Sequence, residues 1–256
     1  MIPEVENRLY YNQLYGYRSL LGFKIHALFS FDQKSKARPL CKILIPFIDE
    51  ICTATGEKTE VLDYGCGWGK LIMALPSTKI VASIYDISDI CVNRVKHILR
   101  LRSQKCKVAT NIINTNQATD YHIIVCSHVL EHVTSDKHLL LDFHSAIKKR
   151  GYLVINVPIN EVWVDPKHVR KYDPVLIKKL IDECGFQVIA GHQVDRWTAF
   201  ILKHEVRMKF SWIAKIVFKP LRLVLAVIPY QLALLGERLF CSRYAPQQYI
   251  IVARKV

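Results

Sequence analysis

The sequence predicts an α/β domain, a mostly parallel seven-stranded sheet flanked by helices, with a helical insertion ahead of its last strand. Three observations predict it. Short buried-strand patterns alternate with amphipathic helical ones from Val61 to Ala190, as βα units do. The first of them, Val61-Leu62-Asp63-Tyr64, feeds directly into Gly65, Gly67 and Gly69. That is a strand, a tight turn and a helix start, with glycine supplying positive φ and close backbone approach. A seventh strand pattern, Gln248 to Ala253, stands beyond a 55-residue stretch of different composition, 191–245.

Composition narrows the class. The chain has 256 residues, 51% of them hydrophobic, enough for one domain with additions and a full core. No stretch of 18 apolar residues occurs, so no membrane-spanning helix is expected. The opening Met1-Ile2-Pro3-Glu4-Val5-Glu6 is acidic and lacks an apolar core, so no signal peptide is expected. Eight scattered cysteines without a Cys-x-x-Cys pair argue against a zinc site and a disulfide framework, and for reduced thiols in the cytoplasm. The net charge of +14 calls for an acidic partner or a purely solvated surface.

The N-terminal segment, 1–55, reads as a helical cap. Residues 1–34 carry Tyr10, Tyr11, Tyr15, Tyr17, Phe23, Phe29 and Phe31. They suit an amphipathic helix on the core or a lid over a pocket, since each tyrosine has an apolar body and a polar tip. Ser35 to Thr53 is expected to be helical from Leu40, Ile43, Leu44, Phe47, Ile48 and Ile51, with a kink at Pro46. The first strand and its glycine turn follow, and the turn is expected to present free N–H groups at the helix start.

Spacing separates the ligands such a turn could hold. A phosphate-cradling loop needs Gly-Lys followed by Ser or Thr, but Leu71 follows Lys70. A dinucleotide fingerprint needs a third glycine where Lys70 stands. The remaining pattern, Asp63-x-Gly65-x-Gly67-x-Gly69, resembles the first motif of the class I S-adenosylmethionine (SAM)-dependent methyltransferases. The resemblance implies a Rossmann-like core over 56–190 and 246–256, with the strand order of that class and an antiparallel last strand. It implies SAM as cofactor, with Gly65, Cys66, Gly67 and Gly69 beneath it and Asp63 near its amino-acid end.

Lys79 to Tyr85 is the second strand. Asp86 follows Asp63 by 23 residues, where an acid can take both ribose hydroxyls, with Ile87 beside it. Ser88 and Asp89 open the next helix, which buries Cys91, Val92, Val95, Ile98 and Leu99. Cys106 to Ile113 is the third strand. The family places an acid just after it for the adenine amino group. Here only Asn111, Asn114 and Asn116 are available.

The fourth strand runs into Ser127-His128-Val129-Leu130-Glu131-His132-Val133. This segment resembles ubiquinone- and menaquinone-type methyltransferases and their small-molecule and glycolipid relatives, where it lies at the sulfonium. Ser127 is accordingly a cofactor contact. His128 and Glu131, three apart, can share one face of a turn. His132, His168 and His128 are candidates to take an acceptor's proton, and each has the alternative of a structural, hydrogen-bonded role. A metal site is not expected, because His132 and Glu131 lack a further ligand that the sequence can name. The Asn/Asp-Pro-Pro-aromatic loop of amino-methylating nucleic-acid enzymes is absent, and so is a Pro-Cys nucleophile.

The next helix begins near Thr134, with Lys148-Lys149-Arg150-Gly151 expected to close it, and Gly151 to Pro158 forms the fifth strand. A loop with Asn160, Trp163, Asp165, His168, Arg170 and Tyr172 leads to Asp173-Pro174, an N-cap and first-turn pair. Phe186 to Ala190 is the sixth strand. In 191–245 nine cations face three acids around the apolar run Leu221–Ile228, which Pro220, Arg222 and Pro229 interrupt. That suits a basic amphipathic helix in a membrane interface, or a cap packed on the core or on a second subunit.

The expected function is SAM-dependent methyl transfer to an oxygen of a lipid, quinone-like or lipid-linked glycan acceptor. The expected place is an anionic surface, peripheral on the inner face of a membrane. Alternatives are a soluble small-molecule methyltransferase, an RNA methyltransferase suggested by the charge, and an inactive scaffold that keeps the fold.

Overall fold

The structure is a computed structural model that describes residues 4–109, 121–162, 165–207 and 211–256. Three helices open it: α1 Glu4–Gly16, α2 Leu20–Phe29 and α3 Phe31–Thr55. The sheet follows: β1 Thr59–Tyr64, α4 Lys70–Ala74, β2 Ile80–Tyr85, α5 Asp89–Leu101, β3 Cys106–Val108 and β4 Tyr121–Ser127. A 3-10 turn, Leu130–His132, leads to α6 Asp136–Ala146, β5 Ile147–Pro158, α7 Pro174–Glu183 and β6 Phe186–Val194. The insertion is α8 Arg196–Arg207, α9 Ser211–Val227 and α10 Tyr230–Phe240, and β7 Gln248–Lys255 closes the chain.

Seven strands lie in the order β3-β2-β1-β4-β5-β7-β6. The pairs from β3 to β5 are parallel, and β7 is antiparallel to both β5 and β6. Val61, Ile123, Val125, Val154 and Val252 bury toward the α3–α5 side; Leu62, Ile124, Leu153, Ile155 and Ile251 bury toward α6 and α7. Burial on both faces explains why the central strands read as continuous apolar runs. Because the ladder is parallel from β1 to β5, the carboxyl ends of β1, β2 and β4 share one edge, where ligands of open α/β sheets bind.

The boundaries differ from expectation in instructive places. Helix α3 starts at Phe31, where the Ser30 hydroxyl accepts from the Gln33 N–H at 3.4 Å, and both Pro39 and Pro46 lie inside it. The cations 148–150 do not close α6. The helix ends at Ala146 and Ile147 already pairs with Tyr121. Arg150, not Gly151, takes the left-handed conformation (φ 64°). Gly151 is there for space, since a Cβ would stand 2.8 Å from the His122 carbonyl oxygen and 2.9 Å from that of Lys148. Strand β6 continues past Ala190 to Val194, so the helical insertion itself begins at Asp195. The far end of the expected third strand, with Asn111, Asn114 and Asn116, lies outside the described residues, as does Trp163.

The insertion has its own core of Trp197, Ile201, Phe218, Leu225, Ala233 and Tyr244, with Phe31 and Leu221 packed against it. Arg38 of α3 donates to the carbonyls of Leu225, Ala226 and Ile228 at 2.8, 2.8 and 2.9 Å, and Lys34 also donates to Ala226. These cations satisfy the orphaned carbonyls at the end of α9 and tie the insertion to the core.

Candidate active site

Asp63 closes β1 at 3% exposure, and its Oδ2 has no hydrogen-bond partner. Burial, reinforced by the Asp86 carboxylate, pushes its pKa up to about 7. A buried carboxylate left unpaired is costly, so this oxygen fits a cationic ligand group.

The glycine turn follows, with φ of 78°, 48° and 69° at Gly65, Gly67 and Gly69. A Cβ on Gly65 would meet Val129 Cγ2 at 2.2 Å, and one on Gly69 would meet Val95 Cγ1 at 2.6 Å. These two glycines seat the turn on its neighbours. Gly67 instead faces Tyr15 Oη, 3.2 Å from where its Cβ would stand. Three amides of the turn are already used: Gly65 and Cys66 N–H donate to the Tyr85 carbonyl, and Gly67 N–H donates to Asp86 Oδ2 at 2.9 Å. No side chain caps the start of α4.

Asp86 closes β2, and the Ser88 N–H donates to its Oδ1 at 2.9 Å. Each carboxylate oxygen therefore accepts one backbone bond and keeps a second lone pair for a ribose hydroxyl. Ile87 sits between Asp86 and the Ser88 cap, half-buried. Asp86→Ala should weaken SAM binding by about 1.5–3 kcal/mol, the worth of hydrogen bonds to a charged group. Calorimetric titration checks this, and an unchanged affinity removes Asp86 from the site.

Cys66, Asp86 and Cys91 also cluster. Cys91 Sγ donates to the Gly67 carbonyl oxygen. The Cys66 thiol is held well up by its contact with Cys91 and by burial, and burial raises Cys91 to about 11.

At the end of β4, Ser127 Oγ accepts from Asn156 Nδ2 at 3.2 Å, and the same Nδ2 group lies 2.9 Å from Gln248 Oε1. His128 has a left-handed backbone (φ 56°), fixed by its N–H donating to the Asn156 carbonyl at 2.8 Å. Its Nε2 lies 3.4 Å from Gln248 Oε1 and its Nδ1 3.3 Å from Glu131 Oε1. Glu131 is wholly buried.

The loop after β5 brings His168 to this point. Val169 N–H donates to the Glu131 carbonyl at 2.8 Å. Arg170 pairs with Asp136, whose Oδ2 also accepts from Tyr172 Oη at 2.7 Å. With 165–172 so pinned to the start of α6, the His132 and His168 rings meet edge to face, centroids 4.8 Å apart. Burial, partly offset by Glu131, lowers the pKa of His132, so that ring is neutral at pH 7. Of the three proposed bases, His132 and His168 are brought together, and His128 stands beside Glu131.

The N-terminal tyrosines cover the site. Tyr11 packs near His132 at 6.4 Å between ring centroids and stacks along Tyr15. Arg94 of α5 donates to the Tyr15 carbonyl, and Ser88 Oγ donates to Asn12 Oδ1 at 2.6 Å. Lys167 lies over the Tyr10 ring. Aromatic content alone signalled this segment. His168 Nδ1 lies 3.1 Å from Glu161 Oε2. The roles of Glu161, Asn156 and Gln248 had no local signal, since they arrive from three different elements.

A cavity of ≈ 1040 Å³ opens between α2, α8 and α9. Ile25, Phe29, Ile201, Leu202, Ile216 and Leu223 line it, with Arg18, Lys219 and Arg222 as its cations. Asp32 also lines it, and Lys36 holds its carboxyl below the usual range.

A family model described as a methyltransferase domain matches residues 34–192, more than half of the chain. Several solved structures share the fold. Magnesium protoporphyrin IX methyltransferase from Synechocystis PCC 6803, with bound S-adenosylhomocysteine, aligns over 99% of both chains (TM-score 0.61, 12% identity). A SAM-dependent methyltransferase from Archaeoglobus fulgidus covers 91% of this chain and 99% of its own (TM-score 0.54, 19% identity). The 1,6-didemethyltoxoflavin-N1-methyltransferase of Burkholderia thailandensis covers 82% and 77% (TM-score 0.51, 11% identity). No curated protein matches the sequence.

Proposed function

The chain belongs to the methyltransferase-domain family and is a SAM-dependent enzyme, and from that premise we propose that it methylates an oxygen of a lipid, quinone-like or lipid-linked glycan acceptor at a membrane surface. The observation that carries this is the cavity between α2, α8 and α9. Its volume exceeds what a small polar acceptor needs, and its walls are mostly apolar. Exposed apolar side chains are numerous on its helices and on α10: Leu21, Ile25 and Leu28 on α2, Ile216, Leu223 and Val227 on α9, Leu235 and Leu239 on α10 are each at least half exposed. Apolar surface of that extent, beside Lys219 and Arg238, suits an anionic interface. Among the described residues no helix is long and apolar enough to cross a membrane.

In this reading the residues described above divide the work. SAM supplies a methyl group on a sulfonium, open to in-line displacement. Asp63 pairs with its amino-acid end, Asp86 takes the ribose, and Gly67 lets the cofactor lie against the backbone. Cys66, Ile87 and Ser127 complete that contact surface. Helix α1 lies on the turn through Tyr15 and excludes water once the cofactor is in place. The acceptor's polar head reaches the cluster of His128, Glu131, His132 and His168, where its hydroxyl gives up a proton, while its apolar part stays in the cavity.

A soluble small-molecule enzyme is the second reading, and the insertion's own core and its ties to Arg38 favour it. Sedimentation with vesicles separates the two. The protein should pellet with anionic liposomes and less with neutral ones, and salt should weaken binding only in part. The residues to change are Leu223 and Val227, both exposed. Leu225 is buried at 3% and would unfold the insertion instead. Leu223→Asp with Val227→Asp should release the protein with SAM affinity intact. No pelleting at low salt would leave the soluble enzyme in first place, and tight RNA binding with a steep salt dependence would favour the nucleic-acid alternative.

A further inference from the structure

We propose that Glu131, His132 and His168 form a binding site for one divalent transition-metal ion of the zinc, cobalt or manganese class, at the acceptor end of the active site. One carboxylate oxygen of Glu131 and one ring nitrogen from each histidine lie within 4.8 Å of one another. Donors at about 2.0–2.2 Å from a shared ion stand about 3.4 Å apart in a tetrahedral shell, so a modest closure completes the site. The sequence suggested no such site because Glu131 and His132 alone are too few. His168, thirty-odd positions on, is the third donor.

Two features of the side chains point to a cation in particular. Both imidazoles are oriented from behind, as metal-bound imidazoles are. His132 Nδ1 is 3.3 Å from the Lys167 carbonyl oxygen, and His168 Nδ1 is 3.1 Å from the Glu161 carboxylate. An Nδ1–H donated to each of those acceptors leaves both Nε2 lone pairs for the ion. The second feature is Glu131, whose side chain is 1% exposed, with His128 Nδ1 3.3 Å from Oε1 and no partner at Oε2. A carboxylate left unsatisfied in the interior is the group a cation would satisfy. Two nitrogens and one carboxylate oxygen select transition ions over magnesium or calcium.

Bound there with open positions, the ion would take an acceptor hydroxyl and lower its pKa. The hydroxyl proton leaves to solvent, the new O–C bond forms, and the S–C bond of the sulfonium breaks to give the neutral thioether. That role rests on the oxygen-acceptor reading; the binding itself does not.

The test uses the full chain, stripped with a chelator and titrated with Co²⁺ and Zn²⁺ in the absence of acceptor and vesicles. One ion per chain is expected, with Co²⁺ absorbing in the visible far more strongly than its hydrate and Zn²⁺ displacing it. His132→Gln and His168→Gln should weaken uptake about 100-fold, with SAM affinity unchanged. Glu131→Gln keeps the volume and guards against a folding failure, and it should behave the same way. No stoichiometric uptake, or uptake unchanged in these variants, overturns the site. Neither result touches the acceptor reading, which the vesicle experiment decides separately.

Discussion

Gly67→Val is expected to bind SAM about 100-fold more weakly or worse, about 2.7 kcal/mol, with a melting temperature only a few degrees below that of the parent. Gly67 has φ 48°, and its Cβ position faces Tyr15 Oη at 3.2 Å, not a packed aliphatic neighbour. Valine methyls there fill the space between the turn and α1, where a ligand lying on the backbone must pass. The left-handed backbone adds a cost of about 1–2 kcal/mol to the fold. Gly65→Ala and Gly69→Ala provide the contrast. Their methyls run into Val129 and Val95 at 2.2 and 2.6 Å, so they should lower the melting temperature through overpacking. Calorimetry with SAM and thermal melts on the three variants separate the two roles. Normal SAM affinity in Gly67→Val would end the assignment of this turn to the cofactor.

Asp63→Asn is expected to abolish measurable SAM binding and at the same time to stabilise the cofactor-free protein above pH 7. Asp63 has a folded pKa of about 7, raised by burial and by Asp86 from an ordinary 3.8. A raised carboxylate pKa means that the folded state holds a proton which the unfolded chain has released. Stability is therefore lost as pH rises from about 4 to 7, a penalty on the order of 4 kcal/mol once the group is ionised, and asparagine does not incur it. The same ionisation governs the cofactor. A cationic ligand needs the carboxylate, so SAM affinity in the parent should fall about tenfold per unit as pH drops below 7, with proton release on binding. Titrations at several pH values, in buffers of different ionisation enthalpy, read both effects. Affinity independent of pH between 5 and 8 would show that Asp63 does not meet the cofactor's charge.

Both predictions concern residues legible in the sequence alone, and the reason is locality. A strand, three glycines and an acid within Val61–Gly69 are bound together by turn chemistry that sequence spacing expresses directly. Likewise Ser88 caps α5 by accepting from the Cys91 N–H, and Asp173-Pro174 starts α7, because capping is a matter of three residues. The sheet order and the antiparallel β7 followed from the resemblance to class I methyltransferases that this local motif carries.

What the sequence could not determine depends on groups that meet from distant positions. Gly151 and Arg150 exchanged roles because the His122 carbonyl, from the neighbouring strand, crowds the former. Leu223 and Leu225 look alike in an apolar run, but the core around Trp197 and Phe218 buries only the second. The cations of the insertion look uniformly available, but Arg222 pairs with Glu205 and Arg196 donates to the Tyr244 carbonyl. The meeting of Glu131 and His132 with His168 required Arg170 and Tyr172 to lock onto Asp136. Local spacing thus located the glycine turn and its acid, and tertiary packing alone brought Glu131 and His132 together with His168, because His168 comes from a separate loop and shares no periodicity with them.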